Sequence, residues 1–232
     1  MNIIKKIIML NNDIPKNTKV VKPWGSEYTI YKNSISSTKL LRINKNKGTS
    51  LHCHPIKKTG FILIKGSVEV DIGFYNKKKL NSISRLMIRP GLFHSTKNHD
   101  DETALILEIE TPVDKDDLVR FKDDYGRENK PYEDENFMEK LSEEDPVFEE
   151  PQMNRVNNYK IGNVLVKLEK TNDIEQLKNK DLNTIFAIVD GGLKSENNLL
   201  VLSPGDIVGG DTIKKLTEAF KIDNYITYLS II

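Results

Sequence analysis

His52, Cys53 and His54 lie inside Gly48-Thr49-Ser50-Leu51-His52-Cys53-His54-Pro55, and forty positions on from His54 comes His94, in Arg89-Pro90-Gly91-Leu92-Phe93-His94. Three of the chain's four histidines fall in these two segments. Side chains alternate faces along a strand, so His52 and His54 share one face and Cys53 takes the other. A third imidazole from a neighbouring strand, His94, completes a facial set of three nitrogens with open positions for a ligand. That pattern predicts a divalent metal ion, with zinc, manganese or iron as the candidates. His99, in the polar stretch Lys97 to Asp101, reads as a loop residue outside the set.

The elements around these residues read as an all-β fold. Tyr28 to Tyr31, Lys39 to Ile43, Gly60 to Ile64, Ser67 to Ile72, Leu86 to Ile88 and Ala104 to Glu110 are short apolar or alternating runs bounded by turn residues, as strands require. Gly66-Ser67 and the stretch Gly73 to Asn81 read as hairpin turns, and Pro90-Gly91 as the end of a strand. Strands spaced in this way suit a jelly roll. With 232 residues, 38% of them hydrophobic, the chain can form a sizeable core. Its 35 basic and 34 acidic residues leave no charge footprint for nucleic acid or an anionic membrane, which points to small-molecule partners. The single cysteine, Cys53, forms no internal disulfide and reads as a packed thiol in a cytoplasmic protein.

The two histidine segments resemble the paired motifs of the cupin superfamily, in which a glycine precedes His-x-His, a glutamate follows four or five residues later and a glycine closes the hairpin. Gly48, His52, His54 and Gly66 match, while the glutamate positions hold Lys58 and Thr59. Pro90, Gly91, His94 and Asn98 match the second motif, with the proline and glycine adjacent. The resemblance implies a double-stranded β-helix, and a homodimer. It implies metal ligation by His52, His54 and His94, and Thr59 offers a further oxygen.

The chain divides by composition. Residues 1–115 read as a barrel with the metal site, residues 116–152 as a charged connector, helical in part over Asp116 to Tyr125 and Asn136 to Ser142, and residues 153–232 as a second, degenerate half. The case for that half is a weak internal repeat. Phe61 to Val68 is echoed by Phe186 to Leu193, Leu86 to His94 by Leu200 to Val208, and Ala104 to Glu110 by Ile226 to Ile232. Val208 stands where His94 does, so the second unit reads as structural, completing a bicupin. Lys214 to Phe220 reads as a helical turn. Ile3 to Leu10 is too interrupted by lysine for a signal peptide and reads as a strand or short helix covering the barrel.

Val20-Val21-Lys22-Pro23-Trp24-Gly25 resembles the Lys/Arg-Pro-Trp-Gly opening of cupin-type mannose-6-phosphate isomerases, a branch that includes the isomerase domain of mannose-1-phosphate guanylyltransferases. This implies a sugar or sugar phosphate as ligand and aldose–ketose isomerisation as the reaction. In that reaction a metal polarises the carbonyl and a base moves a proton between C1 and C2. Glu69 and Lys58 are the candidates for proton transfer. Arg89 and Lys58 are candidates for the phosphate, and Trp24 for stacking on the sugar as an alternative to plugging the core. Two other readings fit the absent glutamate: a three-histidine iron dioxygenase, and a non-catalytic cupin that binds a sugar or metabolite.

Overall fold

The computed structural model describes residues 17–127 and 137–232. Ile3 to Leu10, and the connector positions from Pro131 to Asn136, lie outside them. The N-terminal half runs through β1 (Thr18–Lys22), β2 (Gly25–Lys32), β3 (Ser37–Ile43), β4 (Leu51–Cys53), β5 (Lys58–Lys65) and β6 (Ser67–Ile72), then β7 (Asn76–Asn81), β8 (Ser84–Ile88), β9 (His94–Asn98) and β10 (Ala104–Thr111). β11 (Val119–Lys122) and β12 (Met138–Lys140) come next, followed by β13 (Arg155–Ile161), β14 (Val164–Thr171), α1 (Ile174–Lys178), β15 (Ile185–Lys194), β16 (Leu200–Leu202), β17 (Ile207–Gly209), α2 (Gly210–Ala219) and β18 (Lys221–Ile231). The all-β expectation holds. Among the described residues no helix is long and apolar enough to cross a membrane.

Among the described residues the strands form three antiparallel sheets. One has seven strands in the order β12-β1-β2-β3-β10-β5-β8, the second five in the order β11-β4-β9-β6-β7, and the third β13-β14-β18-β15-β16 with β17 added to β15. The arrangement is that of a jelly roll, and among the described residues no sheet closes on itself into a barrel.

The period of two along each strand explains how the sheets stack. On β5, Phe61 and Leu63 face one core, shared with Val68 and Val70 of the five-stranded sheet. Ile62 and Ile64 face another, shared with Val166, Ala187, Val189 and Leu229 of the C-terminal sheet. A strand buried on both faces needs apolar residues at consecutive positions. Phe61-Ile62-Leu63-Ile64 is such a run because the C-terminal half covers the back of the seven-stranded sheet. Each of these side chains, fully buried, contributes about 1.5–3 kcal/mol of transfer free energy. On its far face the C-terminal sheet packs Phe186, Ile188, Ile226 and Tyr228 against Leu177 of α1 and Ile213 of α2.

Two local expectations change. Residues 116–127 contain no helix, and Met138–Lys140 is a strand, so the segment expected to be partly helical extends two sheets instead. The alternation Val119-Arg120-Phe121-Lys122 is a strand pattern, and a helix this short gains too little propagation to offset nucleation. Asn76 to Asn81, expected as turn, pairs along its whole length with β6. The helical turn expected at Lys214 to Phe220 belongs to the longer α2.

The segments read as a repeat share element type and turn conformation at two glycines each. Phe61 and Phe186 lie in β5 and β15, and the glycines that follow, Gly66 and Gly191, both have positive φ, +88° and +64°. Gly91 and Gly205, in the two Pro-Gly turns, are at +73° and +86°. In the second unit this turn packs against the first. Lys58 Nζ reaches Asp206 Oδ1 at 2.8 Å and Ser203 Oγ at 3.1 Å, and a Cβ on Gly205 would lie 2.4 Å from Thr111 Cγ2.

Candidate functional site

His52 and His94 sit directly opposite each other where β4 pairs with β9, and His54 follows β4 by one residue. Direct cross-strand pairs bring side chains together; here the His52 and His94 ring centroids are 4.5 Å apart, and His54 is 5.2 Å from His52 and 5.8 Å from His94. One nitrogen from each ring lies within 4.8 Å of the others. The two sequence segments are joined by backbone as well, since the Gly91 amide donates to the His54 carbonyl at 2.8 Å.

All three rings are oriented the same way. Nδ1 of His52 contacts the Ser50 carbonyl oxygen at 2.8 Å, Nδ1 of His94 that of Leu92 at 3.0 Å, and Nδ1 of His54 that of Asp117. A carbonyl oxygen only accepts, so each Nδ1 carries the proton and donates, and each Nε2 is left as a lone pair. Burial is the largest influence on each ring and pulls all three below the ordinary histidine value, His94 to about 4. Neutral rings with Nε2 lone pairs are the metal-binding form. His94 Nε2 is buried and has no hydrogen-bond partner among the described residues, a cost that a bound cation relieves.

The loop that carries His54 is held from the segment before β11. Asp117, 5% exposed, accepts the Ile56 amide on Oδ1 at 3.0 Å and the Lys57 amide on Oδ2 at 2.8 Å, and its carbonyl takes the His54 Nδ1 proton.

Beside the histidines lies a second cluster that the motifs did not announce. On β10, residues of one parity face the back core (Leu107, Ile109) and those of the other face the pocket, which puts Glu108 and Glu110 on the histidine side. His54, Glu108 and Glu110 form a second group able to hold a metal ion. Glu110 is ringed by cations, with Lys39 Nζ at 2.9 Å and Lys57 Nζ at 3.2 Å. Burial pushes its carboxyl up, but these two ammonium groups outweigh burial and hold it below the ordinary value. Glu108 is raised by burial and then by the adjacent Glu110 charge. Glu27 and Lys22 form a further buried pair at 3.6 Å. The only signal for this cluster in the sequence was charge within a strand, at Lys39, Glu108 and Glu110.

Both clusters open into one cleft of about 1020 Å3, its mouth included. Trp24, 4% exposed, is at once part of the core and part of the cleft wall. Arg120 of β11 pairs across the ladder with His52 and lines the cleft with Lys32, Lys115 and Arg127. Among the described residues the lining holds seven lysines and arginines against four carboxylates, a balance that favours an anionic ligand.

Other expected site residues stand elsewhere. Glu69 faces away from the cleft, because on β6 the inward positions are Val68 and Val70; it pairs with Lys77 at 2.6 Å. Lys58 points to the back of β5, toward Asp206. Arg89 is exposed, and among the described residues its guanidinium reaches only the carbonyl of Pro90. Thr59 is buried with Oγ1 unpartnered, in register beside Glu110, and does not line the cleft. Cys53 is 6% exposed on the opposite face of β4, and burial raises its thiol.

Facing sheets with three imidazoles at one open end decide the architecture. The N-terminal half has the facing-sheet arrangement of a double-stranded β-helix. Residues 11–123, just under half of the chain, match the family described as Mannose-6-phosphate isomerase C-terminal. Over 111 residues, 47% of the chain, the protein is 28% identical to the Xanthan biosynthesis protein XanB of Xanthomonas campestris, and the match spans about a quarter of that relative's length. Solved structures similar to it include a double-stranded β-helix protein from Klebsiella pneumoniae, 17% identical with a TM-score of 0.36, covering 37% of this chain and 75% of that one. Another is KdgF from a Halomonas species, 10% identical with a TM-score of 0.35, covering 44% and 86%.

Proposed function

We propose that this cupin holds a divalent metal ion on His52, His54 and His94 and binds a sugar phosphate in the cleft above it, interconverting aldose and ketose forms. The observation that carries the reading is the common orientation of the three rings, each with Nδ1 committed to a backbone carbonyl and Nε2 left as a lone pair, in a cluster where one nitrogen of each ring lies within 4.8 Å of the others. A divalent ion there supplies Lewis acidity toward a carbonyl and its neighbouring hydroxyl. Arg120 and Lys115, with Lys32 beside them, receive the phosphate, the guanidinium by paired hydrogen bonds. Trp24 gives the sugar an apolar wall. Proton transfer between C1 and C2 falls to the carboxylates lining the cleft, Glu27 and Glu108. The match to the mannose-6-phosphate isomerase family over residues 11–123 supports this choice of chemistry.

The test is to incubate protein loaded with zinc, manganese or cobalt with fructose 6-phosphate in D2O and follow the sugar by NMR. Aldose phosphate carrying deuterium at C2 is the expected product. Stoichiometric metal with no exchange and no aldose would sink the isomerase reading and leave a sugar-binding cupin.

Thr59 in place of the motif carboxylate favours a second reading, iron dioxygenase chemistry on three neutral nitrogens. Oxygen consumption by the Fe(II)-loaded protein in the presence of a candidate substrate separates the two. The reading also includes a cytoplasmic homodimer, which light scattering of the purified chain checks as to size.

A further inference from the structure

The β1–β2 hairpin brings Lys22, Trp24 and Glu27 to the cleft wall. Glu27 is 7% exposed, and its Oε1 is buried with no hydrogen-bond partner among the described residues. Lys22 Nζ stands 3.6 Å from that oxygen, near enough for charge attraction and too far for a hydrogen bond. A buried carboxylate oxygen without a donor is costly. A ligand hydroxyl between the two groups removes that cost, because it donates to the carboxylate and accepts from the ammonium. The turn of the hairpin fixes their position. Gly25 has φ +147°, and a Cβ on it would collide with the Arg42 carbonyl oxygen; the Trp24 carbonyl accepts the Asn44 amide at 2.9 Å. Trp24 packs in the core with Leu41 and Ile43, which holds an apolar wall beside the pair.

Register sets the pair apart from the histidines. Glu27 lies opposite Leu41 of β3 and Leu41 opposite Ile106 of β10, so two strand spacings, about 10 Å, separate Glu27 from the strand that carries Glu108. Glu108 has an oxygen within 4.8 Å of a His54 nitrogen. A sugar whose carbonyl is held at the histidines therefore meets Glu27 with a hydroxyl further along its carbon chain. We infer that Glu27 and Lys22 form a hydroxyl-reading subsite, with Trp24 as its apolar side, that selects among sugars by a hydroxyl remote from the carbonyl. This rests on the reading of the cleft as a sugar phosphate site, and it separates the two carboxylates there: Glu27 binds, and Glu108 is left for proton transfer. A sugar lacking that hydroxyl leaves the Glu27 oxygen without a donor and is rejected.

The experiment is calorimetry of the zinc-loaded full chain with mannose 6-phosphate and with its 3-deoxy and 4-deoxy analogues, for the wild type, Glu27→Gln and the double variant Lys22→Met/Glu27→Leu. The double variant replaces a buried ion pair by apolar groups of similar volume, a change that proteins tolerate, and it serves if Glu27→Gln fails to fold. The wild type is expected to bind at least one deoxy analogue about tenfold or more weakly than the parent sugar. Both variants are expected to bind the parent about tenfold more weakly and to lose that discrimination. In D2O with saturating fructose 6-phosphate, Glu27→Gln is expected to keep deuterium exchange at the sugar carbon. Discrimination absent from the wild type, or unchanged in the variants, would overturn the subsite and leave sugar phosphate binding standing. Exchange lost in Glu27→Gln with sugar affinity unchanged would make Glu27 the base and overturn its assignment to binding. No binding of mannose 6-phosphate by the wild type would overturn the subsite and the sugar phosphate reading together.

Discussion

Asp117 closes the loop that carries His54, its carboxylate taking the Ile56 and Lys57 amides and its carbonyl the His54 Nδ1 proton. A residue more than sixty positions away thus sets both the ring orientation of one candidate ligand and the backbone of the next turn. Asp117→Ala leaves the buried Lys57 amide unpaired, at about 1–3 kcal/mol of stability. Because outer partners orient ligands, it also weakens metal binding about 10–100-fold. Urea unfolding and zinc calorimetry measure the two effects separately. A variant that loses stability with full metal affinity would show that the carboxylate does not position His54.

His94→Ala removes the nitrogen that is fully buried and unpartnered. The expected outcome is loss of metal by elemental analysis while far-UV circular dichroism and the unfolding transition remain those of a folded protein. Metal content equal to wild type would defeat the assignment of His94 as a ligand.

In the metal-free protein, His94 couples stability to pH. Its folded value, about 4, lies below the unfolded value of 6.5, so between these pH values the unfolded chain binds a proton that the folded one does not. Stability is present above pH 6.5 and falls as pH drops toward 4, by about 3 kcal/mol for this group alone. His52 and His54 shift in the same direction and add to the slope. Denaturant midpoints measured across that window should fall with acid, and the slope should be shallower in His94→Gln by about one proton. An equal slope in the variant would remove His94 as a cause.

Gly205→Ala tests the contact between the two halves. The residue is at φ +86° and its new Cβ would meet Thr111 Cγ2 at 2.4 Å. Backbone strain and overpacking together predict about 1–3 kcal/mol of destabilisation, read by thermal or urea unfolding. A neutral effect would mean that the turn can move off β10.

Lys58→Ala, by contrast, removes a half-exposed pair with Asp206, worth about 0.2–1 kcal/mol. Because Lys58 faces the back of β5, sugar phosphate binding should be unchanged, whereas Arg120→Ala should weaken it at least tenfold. Calorimetry with a sugar phosphate distinguishes the two; a reversed order would restore Lys58 as the phosphate group.

β2, β3, β5, β6, β8 and β10 were legible because each carries its own pattern, and His52, His54 and His94 because their spacing and turn residues are local, whereas Asn76 to Asn81 read as turn and Val119 to Lys122 as connector. Glu69 misled for the opposite reason. Its strand was recognised, but which parity faces inward depends on the partner sheet, and Val68 and Val70 take that face. Arg120 was hidden in a segment whose charge suggested a connector.

The sequence by itself determined the all-β class, the Pro-Gly turns and the three histidines, since hydrophobic period, turn chemistry and motif spacing are properties of neighbouring residues. Only the tertiary structure decided that Glu108, Glu110, Lys39 and Lys57 meet beside His54, that Asp117 anchors the ring, and that Lys58 and Glu69 turn away. Those relationships join residues from strands far apart in the chain. They exist because sheet register fixes which side chains share a face, and stacking fixes which face looks into the cleft.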